Sequence, residues 1–206
     1  MTTIVVTGTD TDVGKTVFAA ALTTALSAVY WKPIQAGLDD GSDASTVASL
    51  GVPQRHILPE AYRLTTPCSP HRAAELDGIE INPDLLTPSL TRETLVVEGA
   101  GGVLVPVTRR LLYADLFAHW GHPVVIVART GLGTINHSML SIEALRARAV
   151  PILGIAFVGN PNEDSEAIVV ELGKVRRLGR LPRLTPLTAT SLRAAFHANF
   201  RLEDFR

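Results

Sequence analysis

The sequence predicts an α/β fold, a mostly parallel sheet covered by helices on both faces. Three observations predict it. Short apolar runs rich in β-branched residues alternate with longer segments of helical apolar spacing, the pattern of strands buried on both faces. The first run, Thr3-Ile4-Val5-Val6-Thr7, enters a glycine-bearing loop that ends in Gly14-Lys15-Thr16 and opens a helix. A later run, Thr94-Leu95-Val96-Val97, stops at an acid, Glu98, followed by Gly99-Ala100-Gly101-Gly102.

The first of these loops has the layout of a P-loop, so the fold is expected to be P-loop NTPase-like. Backbone N–H groups and the helix N-terminus cradle phosphate oxygens there. Lys15 would reach the β- and γ-phosphates of ATP, and Thr16 would set its hydroxyl on Mg²⁺. The common spacing, G-x-x-x-x-G-K-[ST], places a glycine at the position that is Thr9 here, and Gly8 lies one residue early. The candidate nucleotide contacts in the loop are Asp12, Val13, Gly14, Lys15, Thr16 and Val17. Glu98 is the matching acid on a second strand, able to hold Mg²⁺ directly or through water, and Gly99, Ala100 and Gly101 let backbone approach a ligand.

Composition sets the outer bounds. The 206 residues suffice for one domain, 1–206, with a proper core. Hydrophobic residues make up 46% and charged residues 19%, which argues for a globular chain over a disordered one. A net charge of −1 without a basic run argues against nucleic acid as a partner. Cys68 is the lone cysteine, which excludes an intrachain disulfide. The first strand begins at once, leaving no room for a signal peptide, and no apolar run reaches the ~18 residues of a membrane helix. The expectation is a soluble cytoplasmic protein. Only three of the 19 basic residues are lysines (Lys15, Lys32 and Lys174), which singles out Lys32.

The elements follow in order. Phe18, Leu22, Ala25 and Leu26 give the first helix its sheet-facing stripe. Ala28-Val29-Tyr30-Trp31 reads as a strand, and Pro33 keeps Lys32 extended at its end. Ligands of open parallel sheets bind beyond such strand ends. A helix is expected over 44–50, with Ser42 or Asp43 as its cap; Asp43 is equally a candidate for Mg²⁺. Residues 51–70 read as proline-rich and irregular, followed by a helix over 72–76 and another short one over 84–90. Cys68 carries no pattern of a nucleophile. Further helices are expected over 112–120, 135–148, 165–178 and 191–199, and strands over 123–128, 151–158 and near 178–184. Ile135, Met139, Ile142 and Leu145 form the stripe of the 135–148 helix, whose glycine-bracketed start is either a second anion site or a plain strand–helix connection. Asn160, before Pro161, is either a purine-reading carboxamide or a turn residue. No internal repeat, linker or second domain is visible.

Taken together, the signatures resemble one family. Thr7-Gly8-Thr9-Asp10-Thr11-Asp12-Val13-Gly14-Lys15-Thr16 is similar to the T-G-T-D-T-x-V-G-K-T loop of the dethiobiotin synthetases. Lys32-Pro33, Ser42-Asp43, Ser69-Pro70-His71, Glu98-Gly99-Ala100-Gly101-Gly102, Gly133-Thr134-Ile135-Asn136-His137, and Asn160 with 179–184 follow in the family's order. The resemblance covers essentially the whole chain. It implies ATP-dependent closure of a ureido ring from 7,8-diaminopelargonate and CO₂, through a carbamate and its phosphorylated form. It implies catalytic roles for Lys15 and Lys32, and Mg²⁺ on Thr16, Asp43 and Glu98. It implies adenine contacts at Asn160, Pro161, Pro182, Arg183 and Leu184. Substrate contacts fall on Thr11, Lys32, Ala36, Ser69, Gly133, Thr134, Ile135 and Asn136, the last four supplied by the neighbouring subunit of a homodimer. One position departs from the family: its K-P-V-x-[ST]-G is Lys32-Pro33-Ile34-Gln35-Ala36-Gly37 here, so a substrate-facing hydroxyl is missing.

Two other readings use the same scaffold. One is another small-molecule synthetase or kinase; the amide-forming relatives carry an additional glutamine-hydrolysing domain for which 206 residues leave no room. The other is a partition-type switch ATPase, but such proteins carry an extra lysine early in the loop, and positions 8–14 have none.

Overall fold

The computed structural model describes residues 2–39, 41–89 and 91–205. The chain starts in strand β1 (Thr3–Gly8) and passes through the glycine loop into helix α1 (Lys15–Leu26). Strands β2 (Val29–Trp31) and β3 (Ile34–Ala36) precede helix α2 (Asp43–Ser49). Strand β4 (Tyr62–Leu64) and helix α3 (Pro70–Asp77) lead to strand β5 (Leu95–Gly102). A small hairpin of β6 (Pro106–Thr108) and β7 (Leu111–Leu112) runs into helix α4 (Tyr113–Trp120). Then come β8 (Val124–Arg129), α5 (Thr134–Arg146), β9 (Ile152–Val158), α6 (Glu163–Gly173), β10 (Arg177–Leu181) and α7 (Ala189–Asn199).

Six strands form one sheet in the order β10-β9-β8-β1-β5-β2, every neighbouring pair parallel. Alternation along each strand sorts its side chains between two cores. Val5, Leu95, Val97, Val124 and Ile126 face one side; Ile4, Val6, Val96, Val125 and Val127 face the other. Both faces are apolar because both are covered, as all-parallel sheets require. Residues of α3, α4, α5 and α6 pack on the first face, and those of α1, α2 and α7 on the second.

The second face carries an aromatic cluster. Phe18 of α1 lies 5.9 Å from Phe196, 5.5 Å from Phe200 and 6.3 Å from Phe205 between ring centroids. Phe196 and Phe200 stack at 4.5 Å. Such pairs add about 0.5–1.5 kcal/mol each beyond the area they bury. Residues 196–205 are thereby fastened to the helix into which the glycine loop runs. On the far edge, Glu166 of α6, 2% exposed, accepts from Arg177 Nε and Nη2 at 2.9 and 2.6 Å. Its other oxygen lies 2.8 Å from Arg180 Nε, an ion pair without hydrogen-bond alignment.

Several expected elements differ. Residues 51–70 contain β4, which pairs in parallel with β3, and a 3-10 turn at Gln54–His56. Three-residue strands are too short to show a period, and Pro33 hides the restart of extended chain. The β6–β7 hairpin escaped for the same reason. The helix expected over 84–90 is a 3-10 turn at Pro83–Leu86, and Leu90 lies outside the described residues. The helix expected over 165–178 stops at Gly173, because Lys174 takes a left-handed φ of 45° and caps it, and Leu178 is buried in β10 instead. Ile135, 37% exposed, does not belong to the buried stripe of α5; Ser138, Ser141, Ile142 and Leu145 do.

Removing the ring that joins α1 to the chain end should be costly. Phe18→Ala is expected to lower stability by about 3–5 kcal/mol. The urea midpoint should fall with little change in slope, which equilibrium unfolding would show.

Candidate active site

Strand register builds the site before any loop does. In the β1–β5 pair Val6 stands opposite Glu98, and in the β2–β5 pair Trp31 stands opposite Val97. Lys32, the residue after β2, therefore ends beside Glu98. Tyr30 and Lys32, two apart, flank Glu98 on the same face, the face that α1 covers.

The glycine loop joins this spot from β1. Gly14 has φ +96° and the side chain of Val158 would lie 2.9 Å from a Cβ placed there, so any other residue would strain the backbone and strike the end of β9. Gly14 is also the N-cap of α1, and no side chain caps the first turn. Free N–H groups and the positive end of the helix dipole thus face the loop's hollow, a setting for phosphate. Lys15 Nζ donates to the Asp10 carbonyl at 2.8 Å. Burial holds the Lys15 pKa below its usual 10.5; Glu98 opposes that shift and Lys32 adds to it.

The oxygens converge next to Lys15. Thr16 Oγ1 lies 2.8 Å from Asp43 Oδ1 and 2.8 Å from Glu98 Oε1, and its single hydroxyl hydrogen serves one at a time. Lys32 Nζ pairs with Asp43 Oδ2 and stands 3.7 Å from Glu98 Oε1. Tyr30 donates its phenol hydrogen to Glu98 Oε2 at 2.8 Å. Burial and the neighbouring Glu98 push the Tyr30 pKa well up, so the phenol stays a donor. Lys15, Lys32 and Glu98 are 7%, 6% and 0% exposed, while Thr16 and Asp43 are half-buried, so the cluster meets solvent from one side.

Asp43 does not cap α2. Ser42 does, its hydroxyl accepting from Ser45 N–H in a capping box. The Asp43 carboxylate is free to turn inward, and its backbone N–H donates to Gln35 Oε1 at 3.0 Å. Gln35 also donates through Nε2 to the Gly37 carbonyl at 3.1 Å.

Around these groups opens a cavity of about 680 Å³. Thr11, Asp12, Gly14, Lys15, Thr16, Val17, Lys32, Ala36, Asp43, Ser69, Glu98, Ala100 and Gly101 line it. Val13 is instead buried under the loop. Gly99 lies beneath, where Phe117 would meet a Cβ at 3.0 Å. Asn160, Pro161, Pro182, Arg183 and Leu184 follow the ends of β9 and β10, outside the cavity wall. Gly133, Thr134, Ile135 and Asn136 form the start of α5, also off the wall. Gly133 caps that helix at φ 91° without a side-chain partner. His137 Nδ1 and Arg129 Nη2, near that start, stand 3.8 and 3.9 Å from Asp10 Oδ2 of the glycine loop.

Sequence reasoning missed Gln35, Tyr30 and Val105, and set Cys68 aside; Gln35, Cys68 and Val105 line the cavity. Gln35 sits three residues past Lys32 in a segment with no period, so its burial left no trace in the sequence.

The donor set suits Mg²⁺. It offers hard oxygens from one hydroxyl and two carboxylates beside a phosphate-binding loop, and Mg²⁺ takes one or two carboxylates and completes its shell with phosphate and water. Among the described residues no three His, Cys, Asp or Glu side chains form an all-protein metal cage.

The ATP-dependent dethiobiotin synthetase BioD of Novosphingobium aromaticivorans is 66% identical over 207 residues, spanning 100% of both chains. That of Rhodopseudomonas palustris is 63% identical over 205 residues, covering 99% of this chain and 97% of that one. This chain belongs to the dethiobiotin synthetase family. A family model described as an AAA domain matches residues 2–191. Among solved structures, the MinC:MinD cell division complex of Aquifex aeolicus gives a TM-score of 0.54 at 13% identity, covering 95% of this chain and 86% of that one. A ParA family ATPase from Chlorobium tepidum gives 0.52 at 11%, covering 96% and 91%. These two share the P-loop fold, whereas the synthetases share the sequence throughout. No described helix is long and apolar enough to cross a membrane.

The shifted lysine gives a test. Polyphosphate is attracted by the charged form of Lys15, so metal-free ATP affinity should decline as pH rises through its pKa, at a lower pH than a free lysine would give. Titration of ATP affinity against pH should show this limb, and Lys15→Arg, which stays charged, should remove it.

Proposed function

We propose that this chain closes the ureido ring of dethiobiotin from 7,8-diaminopelargonate, CO₂ and ATP, releasing ADP and phosphate. The carrying observation is the cluster of buried Lys15, Lys32 and Glu98 with half-buried Thr16 and Asp43 in a chain of this family.

The chemistry asks for charge control more than for a nucleophile. An amine of the substrate adds to CO₂ and loses a proton, giving a carbamate. A carbamate oxygen attacks the γ-phosphorus and ADP leaves. The second amine then attacks the activated carbonyl and expels phosphate, closing the ring. The middle step brings two anions, the carbamate and the triphosphate, together and moves negative charge between them. Lys15 and Lys32 are the groups to neutralise it, one on the γ-phosphoryl and one on the carbamate. Both are buried, where a charge acts more strongly than in water.

Asp12, Val13, Gly14, Lys15, Thr16 and Val17 would bind the phosphates, with Gly99, Ala100 and Gly101 against the bound nucleotide. Thr16, Asp43 and Glu98 would hold Mg²⁺, which supplies charge neutralisation on the phosphates when bound. Asn160, Pro161, Pro182, Arg183 and Leu184 would contact adenine. Thr11, Ala36 and Ser69 would line the diamine end of the substrate. Its distant carboxylate needs a separate anchor, and the start of α5, at Gly133, Thr134, Ile135 and Asn136, has no side-chain cap; the Thr134 N–H already donates to the Gly131 carbonyl, so the helix dipole and the N–H groups of Ile135 and Asn136 would serve. In this reading that start comes from a second copy, so the working unit is a homodimer with sites at the interface. The same reading makes residues 1–206 one P-loop α/β domain of a cytoplasmic enzyme, with no nucleic-acid or membrane partner.

The deciding assay incubates the protein with 7,8-diaminopelargonate, bicarbonate and Mg-ATP and weighs the product. Dethiobiotin should form, and ATP hydrolysis should require both diamine and bicarbonate. A nucleotide switch would hydrolyse ATP without either. Lys15→Ala should lose at least about a hundredfold in turnover, the scale of one oriented charge in such a site.

The interface has its own test. Lys32→Ala should disable the phosphoryl end, and Asn136→Ala should impair the carboxylate end. Refolded together, the two poor variants should regain activity, because a hybrid dimer holds one intact site and one doubly damaged site. If hybrids form and stay as poor as their parents, each site lies within one chain.

A further inference from the structure

Tyr30 carries no role in the reading above, yet its hydroxyl touches the most deeply buried charge of the site. It is 0% exposed and sits on β2 opposite Val96, one strand across from Glu98 and diagonal to it. Diagonal neighbours on parallel strands reach each other only through long side chains, and a tyrosine spans that gap. Its ring packs in the apolar core beneath α1, and only the hydroxyl meets a polar group.

Glu98 has two oxygens with different surroundings. Oε1 faces Thr16 Oγ1 at 2.8 Å and Lys32 Nζ at 3.7 Å, on the cavity side. Oε2 accepts from the Tyr30 phenol at 2.8 Å, on the core side. A carboxylate pinned at one oxygen keeps its plane and presents the other in one direction. Without the phenol, Oε2 would be a buried acceptor without that donor, and the side chain could turn to find another. Phenylalanine would fill the same core space, so apolar packing alone does not account for the hydroxyl.

We infer that Tyr30 is a positioning residue that fixes Glu98 so that Oε1 is presented to the divalent cation bound with the nucleotide. The inference rests on the proposed metal role of Glu98. Groups that orient metal-binding side chains are commonly worth about 10–100-fold in metal affinity. Tyr30 acts on the ion alone, since it lies under the sheet end and away from the cavity lining.

The test uses Mn²⁺ as the probe, in the presence of a non-hydrolysable ATP analogue, with free Mn²⁺ read by electron paramagnetic resonance. Wild type, Tyr30→Phe, Glu98→Gln and the double variant are compared, each as the native fraction from gel filtration. Tyr30→Phe should weaken Mn²⁺ binding about tenfold or more, while analogue binding in excess chelator stays as in wild type. The KM for Mg²⁺ should rise more than kcat falls. In the Glu98→Gln background, adding Tyr30→Phe should change Mn²⁺ affinity by less than about twofold, because no carboxylate remains to be positioned. If Glu98→Gln weakens Mn²⁺ binding and Tyr30→Phe does not, the phenol only packs and the inference is overturned. It is overturned as well if Tyr30→Phe costs as much in the Glu98→Gln background as in the wild-type one. If Glu98→Gln leaves Mn²⁺ affinity untouched, the metal role of Glu98 falls, and this inference falls with it.

Discussion

The site depends on one constraint, the parallel register of β5 with the strands on either side of it. Val6 opposite Glu98 and Trp31 opposite Val97 set the acid at the mouth of the glycine loop and beside Lys32. Side chains alternate along a strand, so a slip of one residue would turn Glu98 to the other core and Val97 into the site. The apolar alternation on both faces forbids that slip, because it would exchange the buried sets of both cores. The geometry of the polar cluster is thus enforced by residues that never touch a ligand.

Charge balance explains why such a cluster can be buried. Two lysines face two carboxylates, and Thr16 bridges the acids. A pair of charges ~4 Å apart gains ~4 kcal/mol at an effective dielectric near 20, while desolvation costs several kcal/mol per ion. The two terms nearly offset each other. The cluster therefore contributes little net stability, and Lys32 can exchange its carboxylate partners, and Lys15 the Asp10 carbonyl, for phosphate or carbamate at modest cost. The slack falls where binding needs it, and Phe18, Phe196, Phe200 and Phe205 fasten α1 independently.

Much of this was legible in the sequence, for identifiable reasons. Four of the six sheet strands, β1, β5, β8 and β9, carry apolar runs with β-branched residues, and the glycine loop, Lys32 and Glu98 all sit at strand ends, where pattern and punctuation coincide. The parallel, doubly covered sheet followed from alternation alone. What stayed hidden was short or relational. β3 and β4 are three residues each and exist only because they pair with one another. The choice between Ser42 and Asp43 as cap turned on which side chain met Ser45 N–H, which spacing cannot say. Gln35 and Tyr30 look like ordinary residues until the partners that bury them are known. Ile135 fits a helical stripe by position, but the face of α5 that meets the core at that end is built from Thr134 and Ser138 instead.

The aromatic cluster also orders events in time. Phe18 leaves the ribosome 178 residues ahead of Phe196, and Phe200 and Phe205 follow later still. At about 5–20 residues per second, α1 waits roughly 10–35 seconds for the rings that cover its outer face. Throughout that interval the helix behind the glycine loop shows uncovered apolar surface. The nascent chain therefore leaves its future nucleotide helix open to chaperones until residues 196–205 have emerged.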